Sequence, residues 1–592
     1  MLAATMLTAA SCTEYDDYNK APTDALPGAN QTLWENISGD PQLSKFAELA
    51  KKSNYAEVLN SPRFYTVWAP VNDAFDDAEY ERLKNSSDSV IEKQFMQQHI
   101  TEYNYQVSAA LDSTTIVSLN DKHHPFTQSA FDGFTYSAIN IPSTNGVMHK
   151  INGMSEFHYN LYENIDNLGD TLLKKYIQKY DEEYLDVSAS VIGPLKDGKQ
   201  TYLDSVMKKR NTVINTIMRA SLDNEDSTYC MLLPTDKAWN DTYNKILPCY
   251  NYIAKMDYMD LSKNTTVASS TTATTAKAEK AVETTGAELQ DSIACRNIVT
   301  NLVFSNSNPK NAPLFGNGTL AAADTIVTTT GRGLTNAQGV IGHTTSLEEL
   351  SNGMARVVDS LTFSSWETFN PVIATYRPAQ TLKVTRLTNH SVYSTGSTPL
   401  KDFPIFRKVP KMFHQWLFPE NSPYFTYVAV DSAYVDGTTG KPEFKFALKN
   451  VRSATYHIYV VTVPPQLEEP TADVKPYYLR FYLSYTDAAN KQQYIVLPQG
   501  ARTTSEITTD NGTSTATITY VGDPECVNVI DLGEFTFPAC YYGLDAYPSL
   551  MMMHTKSYTS SANRKKYDQQ MRVAGVYLVP KEYNDLWAND NE

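Results

Sequence analysis

The side chains of this chain that could do chemistry do not form a known catalytic motif. No G-x-S-x-G turn, H-E-x-x-H helix, phosphate-binding glycine loop or calcium-binding loop occurs in the sequence. His123 and His124 are adjacent, and neighbouring side chains on a strand point to opposite faces, so the pair is not placed to hold one metal ion. We interpret this pair as a solvated loop feature, and paired carboxylates such as Glu468 and Glu469 as exposed charge. The sequence therefore predicts a protein without catalytic residues, cofactor or metal.

Tyrosine is the residue type whose abundance favours a binding function. The chain has 39 tyrosines against 6 tryptophans, and the tyrosines are dense in its last third. A tyrosine ring offers an apolar face to the C–H groups of a sugar and a hydroxyl to its polar edge. Five tyrosines lie in segments predicted to be loops, where binding residues tend to lie, and are the candidate glycan-binding residues: Tyr541, Tyr542, Tyr547, Tyr558 and Tyr567. The alternative is that tyrosine is abundant because strands favour it.

Cys12 predicts where the protein is located. It ends a short apolar stretch that closes in small residues, and the acidic segment 13–18 (TEYDDY) follows it. Such a stretch is typical of the end of a secretory signal. A cysteine at this junction resembles the lipobox of bacterial lipoproteins, in which the thiol receives a lipid, and the acidic segment resembles the surface-export signal of lipoproteins in the Bacteroidetes. The resemblance implies a signal peptide remnant over residues 1–11 and a lipidated flexible stalk over 12–30; the alternative is a chance cysteine near an ordinary terminus.

Length, charge and cysteine content exclude several classes of protein. A chain of 592 residues is too long for one core and predicts three or four domains. The net charge of −16 argues against nucleic acid as a partner and against a polybasic membrane patch. After residue 12, no apolar run approaches the roughly 20 residues that span a bilayer. The other five cysteines could form at most two disulfides, or they could remain buried thiols.

Three motifs in residues 31–160 resemble those of fasciclin domains. Residues 65–75 (YTVWAPVNDAF) resemble the first signature, in which a strand leads into a capped helix. Residues 95–100 (FMQQHI) resemble the central segment that carries the family's histidine, here His99, and residues 145–153 (NGVMHKING) resemble the closing strand. The resemblance implies a fasciclin-like domain in which His99 is structural and hydrogen-bonded within the fold.

The same order of motifs recurs over residues 161–375. Residues 229–239 mirror the first signature, 297–303 the central segment without its histidine, and 351–360 the closing strand. Self-similarity of this kind indicates two tandem domains of one fold. The second domain carries an insertion near 263–286, rich in Thr, Ala and Ser, which predicts a solvated, disordered or partly helical loop.

Residues 376–592 are predicted to be a β-sandwich. Short segments that are typical of strands recur here with turn residues between them, and in residues 478–485 the apolar and polar side chains alternate, as in a half-buried strand. The clearest are 456–463, 478–485, 515–521 and 573–579. Residues 572–580 (RVAGVYLVP) also resemble the last strand of sandwich domains in Bacteroidetes surface lipoproteins. The predicted fold class is therefore α+β: two tandem fasciclin-like domains followed by a C-terminal all-β, jelly-roll-like sandwich that is the expected ligand-binding domain.

These resemblances imply a non-catalytic lipoprotein anchored by its N-terminal lipid in the outer membrane and exposed at the cell surface. The expected role is that of an accessory subunit of a TonB-dependent glycan uptake complex of the starch-utilisation type, which captures glycan or stabilises the assembly. The expected partners are the transporter and its lipoprotein lid, with an oligosaccharide as a further ligand. The alternative is adhesion or scaffolding through other proteins only, because fasciclin domains resemble cell-adhesion modules.

Overall fold

The structure is a computed structural model. It describes residues 29–589 apart from 186, 188–190, 205–206, 259, 261–279, 316–323, 369–370, 376–378, 381–387, 394–399, 407, 419–423, 431–442, 476, 498–506, 510–517, 521–525, 555–559 and 569–570. Cys12, Tyr558 and most of the predicted insertion lie outside the described residues. The chain forms three units in sequence order, two α/β units and a β-sandwich, and the predicted α+β fold class is confirmed.

The first unit is built on one seven-stranded sheet. Its elements are α1 (Leu33–Ser38), α2 (Ser44–Lys52), α3 (Tyr55–Asn60), β1 (Tyr65–Pro70), α4 (Asp77–Asn85), α5 (Asp88–Ile91), a π-helical turn (Glu92–Met96), β2 (Ile100–Glu102), β3 (Ser113–Val117), β4 (His123–Thr127), β5 (Ala130–Phe131), β6 (Phe134–Ser143) and β7 (Gly146–Ile151). The strand order in the sheet is β2-β1-β7-β6-β5-β4-β3. Alternate residues of β1 face opposite sides, as strand geometry dictates. Val67 packs against the helices, whereas Trp68 stacks on Phe131 at 4.2 Å between ring centres. The strand is therefore buried on both faces.

The second unit contains a four-stranded sheet with the same strand arrangement as the centre of the first unit's sheet. Its elements are α6 (Leu161–Asn167), α7 (Leu172–Gln178), β8 (Asp181–Leu185), β9 (Val191–Lys196), β10 (Lys199–Asp204), β11 (Met207–Asn211), a π-helical turn (Val213–Met218), β12 (Tyr229–Pro234), α8 (Asp236–Ile246), β13 (Lys255–Tyr258), β14 (Lys280–Glu283), α9 (Ala287–Val299), β15 (Val303–Ser305), β16 (Ile326–Val327), β17 (Gly333–Leu334), α10 (Ala337–Gly342), β18 (Thr344–Leu350) and β19 (Gly353–Val358). β12 lies parallel to β19, just as β1 lies parallel to β7. The end of the predicted insertion is a strand and not a loop, because β14 pairs with β13.

An Asn-Gly pair closes both α/β units in the same way. A side chain at Gly146 would place its Cβ 2.0 Å from the carbonyl oxygen of Tyr65, and one at Gly353 would place it 1.9 Å from that of Tyr229. Only glycine permits this approach. The preceding residues, Asn145 and Asn352, each accept the N–H of the first residue of the unit's first helix, at 2.8 and 2.9 Å.

The third unit is a sandwich of two antiparallel sheets. Its elements are β20 (Val372–Thr375), β21 (Ala379–Gln380), β22 (Thr388–Tyr393), α11 (Lys411–Leu417), β23 (Tyr424–Val430), β24 (Glu443–Ala447), β25 (Thr455–Thr462), β26 (Tyr477–Thr486), β27 (Gln492–Leu497), β28 (Ile507–Thr509), β29 (Ile518–Tyr520), β30 (Asn528–Thr536), β31 (Ser549–His554), α12 (Ser561–Lys566), β32 (Met571–Pro580) and α13 (Lys581–Asn589). One sheet has the order β22-β23-β32-β25-β30 with β20 on β32, and the other has the order β21-β24-β31-β26-β29-β28 with β27 on β26. Because β20 pairs with β32, the sandwich begins before the boundary predicted at residue 375.

The second unit and the sandwich share one continuous apolar core. Their contact is also polar: the hydroxyl of Tyr252 donates to the carbonyl of Tyr542 at 2.8 Å, and the side-chain amide of Asn251 donates to that of Pro538 at 2.8 Å. The five cysteines in the described residues are free and buried, which favours the buried-thiol alternative over disulfides.

Candidate functional site

A cavity of about 610 Å³ lies where the second unit meets the sandwich, and we call it the junction cleft. The second unit contributes Arg219, Arg296 and Arg332 to its lining. The sandwich contributes Trp416 and Tyr583, and Trp366 lies in the segment between the two units. Its volume lies within the range of roughly 300–1,000 Å³ that is usual for small-molecule sites.

Three aromatic rings form one side of the cleft. The rings of Trp366 and Tyr583 meet edge to face at 4.9 Å between centres, and Trp416 lies 6.2 Å from Tyr583. Trp416 is carried by α11, Tyr583 by α13 and Trp366 by the 3₁₀ turn Ser365–Thr368. The side-chain amide of Gln415 donates to the Tyr583 hydroxyl at 2.6 Å, which fixes that ring. All three rings are half-buried, so each retains surface to offer a ligand.

Arg332 is presented by a tight turn between β16 and β17. The N–H of Gly331 donates to the Thr328 carbonyl at 2.9 Å, and the N–H of Thr328 donates to the Arg332 carbonyl at 2.9 Å. Gly331 has a φ of 85°, in the left-handed region that favours glycine and closes a three-residue hairpin loop. The Arg332 N–H also donates to the Thr328 hydroxyl at 3.2 Å. The position of Arg332 is therefore set by the local backbone.

The other two arginines come from separate elements and are exposed. Arg219 follows the π-helical turn Val213–Met218 and has a φ of 55°, and Arg296 lies in the last turn of α9. Neither of them, nor Arg332, forms an ion pair with another described residue. The cleft is therefore positively charged, although the chain as a whole carries a net charge of −16.

Glu367 is the one carboxylate among the described residues that line the cleft. It is buried, and both of its oxygens accept hydrogen bonds. Oε1 accepts the N–H and the hydroxyl of Thr335 at 2.9 and 2.8 Å, and Oε2 accepts the N–H of Ser364 at 2.6 Å. Glu367 thus ties the segment that carries Trp366 to the region just after the Arg332 turn.

The predicted tyrosines are not brought together as one surface. Tyr541 and Tyr567 are buried core residues and not the surface loop residues that the sequence predicted; the Tyr541 hydroxyl accepts the N–H of Thr486 at 2.7 Å. Tyr547 is half-buried with its ring 5.2 Å from that of Tyr258, and Tyr558 lies outside the described residues. The physical reason is that the segment around Tyr541 packs against the second unit, so that only Tyr542 lines the cleft.

The residues that sequence reasoning missed are the three aromatic side chains and the three arginines of the cleft. Four of the six come from the α/β unit and from the segment that joins it to the sandwich, whereas the prediction placed the ligand in the sandwich alone. The scarcity of tryptophan, with 6 in the chain, is the signal that could have drawn attention to Trp366 and Trp416. The arginines have no common spacing that could have marked them.

The histidines of the first unit are structural. His99 is fully buried, its Nδ1 lies 2.8 Å from the Phe95 carbonyl oxygen and its Nε2 accepts the Ser155 N–H at 3.1 Å. Burial lowers the pKa of His99 to about 4. The interpretation of His123 and His124 as a solvated pair was wrong for His124, which is buried on β4 with its Nδ1 3.3 Å from an Asp132 oxygen.

The described residues show neither a metal-binding cluster nor a membrane-spanning helix. No cluster of three or more His, Cys, Asp or Glu side chains in this part of the chain is placed to bind a metal ion. Nor does any helix here have the length and apolar character to cross a bilayer.

Residues 41–154 match the family model of the fasciclin domain. This part of the chain is therefore a fasciclin domain, which confirms the expectation drawn from its motifs. Fasciclin domains are non-catalytic domains associated with cell adhesion.

Three solved structures are similar to parts of this chain. The first is a fasciclin domain pair from the insect cell adhesion molecule fasciclin I, with 12% identity over 57% of this chain and 100% of that chain and a TM-score of 0.19. The second is a xanthan lyase from Paenibacillus, with 9% identity over 39% of this chain and 16% of that chain and a TM-score of 0.17. The third is an α-L-fucosidase from Vibrio sp. strain EJY3, with 8% identity over 36% of this chain and 35% of that chain and a TM-score of 0.12. No curated protein matches the chain.

Proposed function

We propose that this protein is a non-catalytic surface lipoprotein that captures glycan in the junction cleft. The observation that carries the proposal is the group of half-buried rings of Trp366, Trp416 and Tyr583 on one side of a cavity of about 610 Å³. Such rings offer apolar faces to the C–H groups of a sugar, and polar groups beside them fix its orientation. The proposed site lies between the second unit and the sandwich, where both contribute side chains.

The wider role that we propose is that of an accessory subunit in a TonB-dependent glycan uptake complex of the starch-utilisation type. The support for this role is the resemblance of Cys12 and of the acidic segment 13–18 to the export signals of Bacteroidetes surface lipoproteins. A lipid on Cys12 would hold the cleft close to a transporter and its lipoprotein lid. Tethering of this kind raises the effective concentration, so that even weak binding of an oligosaccharide becomes useful.

A second candidate function is adhesion or scaffolding. The fasciclin domain over residues 41–154 favours it, because domains of this family are associated with cell adhesion. In this case the protein would bind only other proteins at the cell surface.

A polysaccharide-binding panel separates these functions. The full chain, with Cys12→Ala to keep it soluble, is titrated with neutral and acidic oligosaccharides and followed by calorimetry. Capture predicts binding that Trp366→Ala weakens by roughly threefold or more. Tyr103→Ala, which removes a ring that is 60% exposed in the first unit, is the matched control and should leave the affinity unchanged. Co-purification with a transporter, without binding of any sugar, would instead favour scaffolding.

A further inference from the structure

The junction cleft is lined by three arginines, and binding of a neutral sugar would not require their positive charge. We infer that its ligand is an acidic oligosaccharide, whose carboxylate or sulfate groups are bound by Arg332 inside the cleft and by Arg219 and Arg296 at the exposed side. This inference rests on the proposed function, because it names the class of glycan that the same cleft takes.

One buried nitrogen of the Arg332 guanidinium, Nη1, has no hydrogen-bond acceptor among the described residues. A buried charge without a partner is costly, and an arginine side chain stays charged in proteins. Burial lowers the pKa of the Arg332 guanidinium from its ordinary value, and the nearby charge of Arg452 acts in the same direction. An anionic oxygen of a ligand would supply both the missing acceptor and the missing charge.

The carboxylates of the protein around the cleft are already engaged. Glu367 uses both oxygens for Thr335 and Ser364. Glu582, next to Tyr583 on α13, accepts the hydroxyl of Ser365 at 3.1 Å. Neither forms an ion pair with Arg332 among the described residues. Among the described residues, the charge of Glu367 acts on the Arg332 guanidinium without a direct ion pair, so Nη1 still has room for an anionic acceptor from a ligand.

The setting of these arginines favours an oligosaccharide over a small free anion or a nucleic acid. Trp366 and Tyr583 line the same cavity as Arg332, and its volume of about 610 Å³ is far larger than an inorganic anion needs. A sugar ring that carries an anionic group engages a stacking surface and a guanidinium at once. The net charge of −16 opposes a long polyanion such as nucleic acid at a distance.

Calorimetric titration of the full Cys12→Ala chain tests this inference. The reagents are oligogalacturonates and chondroitin sulfate oligosaccharides, each beside its carboxyl-reduced or desulfated counterpart, together with neutral xylo- and malto-oligosaccharides and inorganic sulfate. We expect at least one acidic oligosaccharide to bind, its neutralised counterpart to bind about tenfold more weakly or worse, and the affinity to fall as NaCl is added.

Two variants and a control connect that binding to the arginines. Arg332→Gln should weaken binding of the acidic ligand by about tenfold or more. Its thermal midpoint should be unchanged or higher, because the substitution removes a buried charge that has no acceptor. Arg296→Gln, at an exposed position on α9, should weaken binding without affecting the fold. Arg63→Gln, exposed in the first unit, is the matched control and should change neither affinity nor stability.

The contradicting outcomes are distinct. Neutral oligosaccharides that bind as tightly as acidic ones, with no effect of Arg332→Gln, would overturn the acidic ligand class and leave glycan capture standing. Inorganic sulfate that binds as tightly as the sulfated oligosaccharide would also overturn it, since the sugar would then contribute nothing. Absence of binding by every oligosaccharide would overturn both this inference and the proposed function.

Discussion

At the scale of single residues, the hydrogen bonds of one buried carboxylate hold two segments of the cleft together. The carboxylate is that of Glu367, and three donors converge on its two oxygens. A buried donor that loses its acceptor costs its full desolvation penalty. The stability of this region is therefore sensitive to changes that preserve size but remove an acceptor.

Glu367→Gln should destabilise the protein by about 1–3 kcal/mol. The amide nitrogen cannot accept the N–H of Ser364, so one partly buried donor is left without a partner. Chemical denaturation measures the difference in the free energy of unfolding. Glu102→Gln, at an exposed position of the first unit, is the control and should stay within about 0.5 kcal/mol of the parent. Equal stability of the two variants would contradict the role assigned to Glu367.

The stability of the fasciclin domain should fall between pH 6.5 and pH 4. Burial lowers the pKa of both His99 and His149 from 6.5 to about 4 in the folded protein. Between these values the unfolded chain binds more protons than the folded one, so each histidine favours folding above pH 6.5 and loses that contribution as the pH falls toward 4. The loss amounts to about 3 kcal/mol for each group. Denaturation curves at pH 7, 5.5 and 4.5 measure it.

A variant separates this effect from general acid denaturation. His99→Gln keeps one acceptor and one donor but cannot take up a proton, so its stability should fall less steeply over the same pH range. His158→Gln, whose side chain is 52% exposed, is the matched control and should keep the slope of the parent. If the stability of His99→Gln falls with pH as steeply as that of the parent protein, His99 does not cause the pH dependence.

At the scale of elements, a buried lysine joins the two α/β units. The Lys122 ammonium of the first unit lies 2.9 Å from a Glu163 oxygen and 2.6 Å from a Glu225 oxygen in the second. It also donates to the Ser351 hydroxyl at 3.0 Å. The side chains of Lys122 and Glu225 are only 4% and 5% exposed, so this is a buried ion cluster rather than a surface pair.

Lys122→Met should lower the free energy of unfolding by about 3–5 kcal/mol, because it leaves the buried Glu225 carboxylate without a cation. Glu163 then keeps only its pair with Lys93 at 2.7 Å. Chemical denaturation measures the loss. Adding Glu225→Gln to this variant should recover part of the stability by removing that charge. Lys310→Met, at an exposed position, is the control and should change stability by less than about 0.5 kcal/mol. A double variant no more stable than Lys122→Met would argue against an electrostatic origin.

The elements that could be predicted are those whose residues are fixed by local backbone geometry. Gly146 lies against the backbone of β1, and Gly353 lies in the same way against the backbone of β12. Because only glycine fits there, an Asn-Gly pair recurs at matching places in the sequence and marks both units. The sandwich is marked by short strand-forming segments between turn residues, with alternation in residues 478–485 and a wholly buried, mostly apolar run in β32. The cleft could not be predicted, because its side chains are spread from residue 216 to residue 583 and meet only when the second unit packs on the sandwich.

The misplaced tyrosines have the same origin. Tyr541 lies between turn-forming residues and has the sequence signature of a surface loop. Its hydroxyl is buried within the sandwich against Thr486, and the flanking residues Pro538 and Tyr542 contact the second unit. These long-range contacts have no local signal. Sequence patterns report whether a segment is a strand or a loop, but not which loops another unit covers.

At the scale of the whole molecule, the proposed function requires the chain to be outside the cell. We predict that material from the native host carries a lipid on Cys12 and that protease treatment of intact cells degrades it. Mass spectrometry of the N-terminal peptide and protease shaving of whole cells measure the two properties, and Cys12→Ala is the control that should be released from the membrane. An unmodified thiol at residue 12 would contradict surface anchoring.

The central claim is that glycan binds between the second unit and the sandwich. Hydrogen exchange of the full Cys12→Ala chain, with and without a mixture of oligogalacturonates and chondroitin sulfate oligosaccharides, tests it most directly. The account predicts slower exchange in residues 328–334, 365–368 and 411–417, with no change in residues 41–154. Unchanged exchange in those three segments, or protection confined to the fasciclin domain, would contradict it.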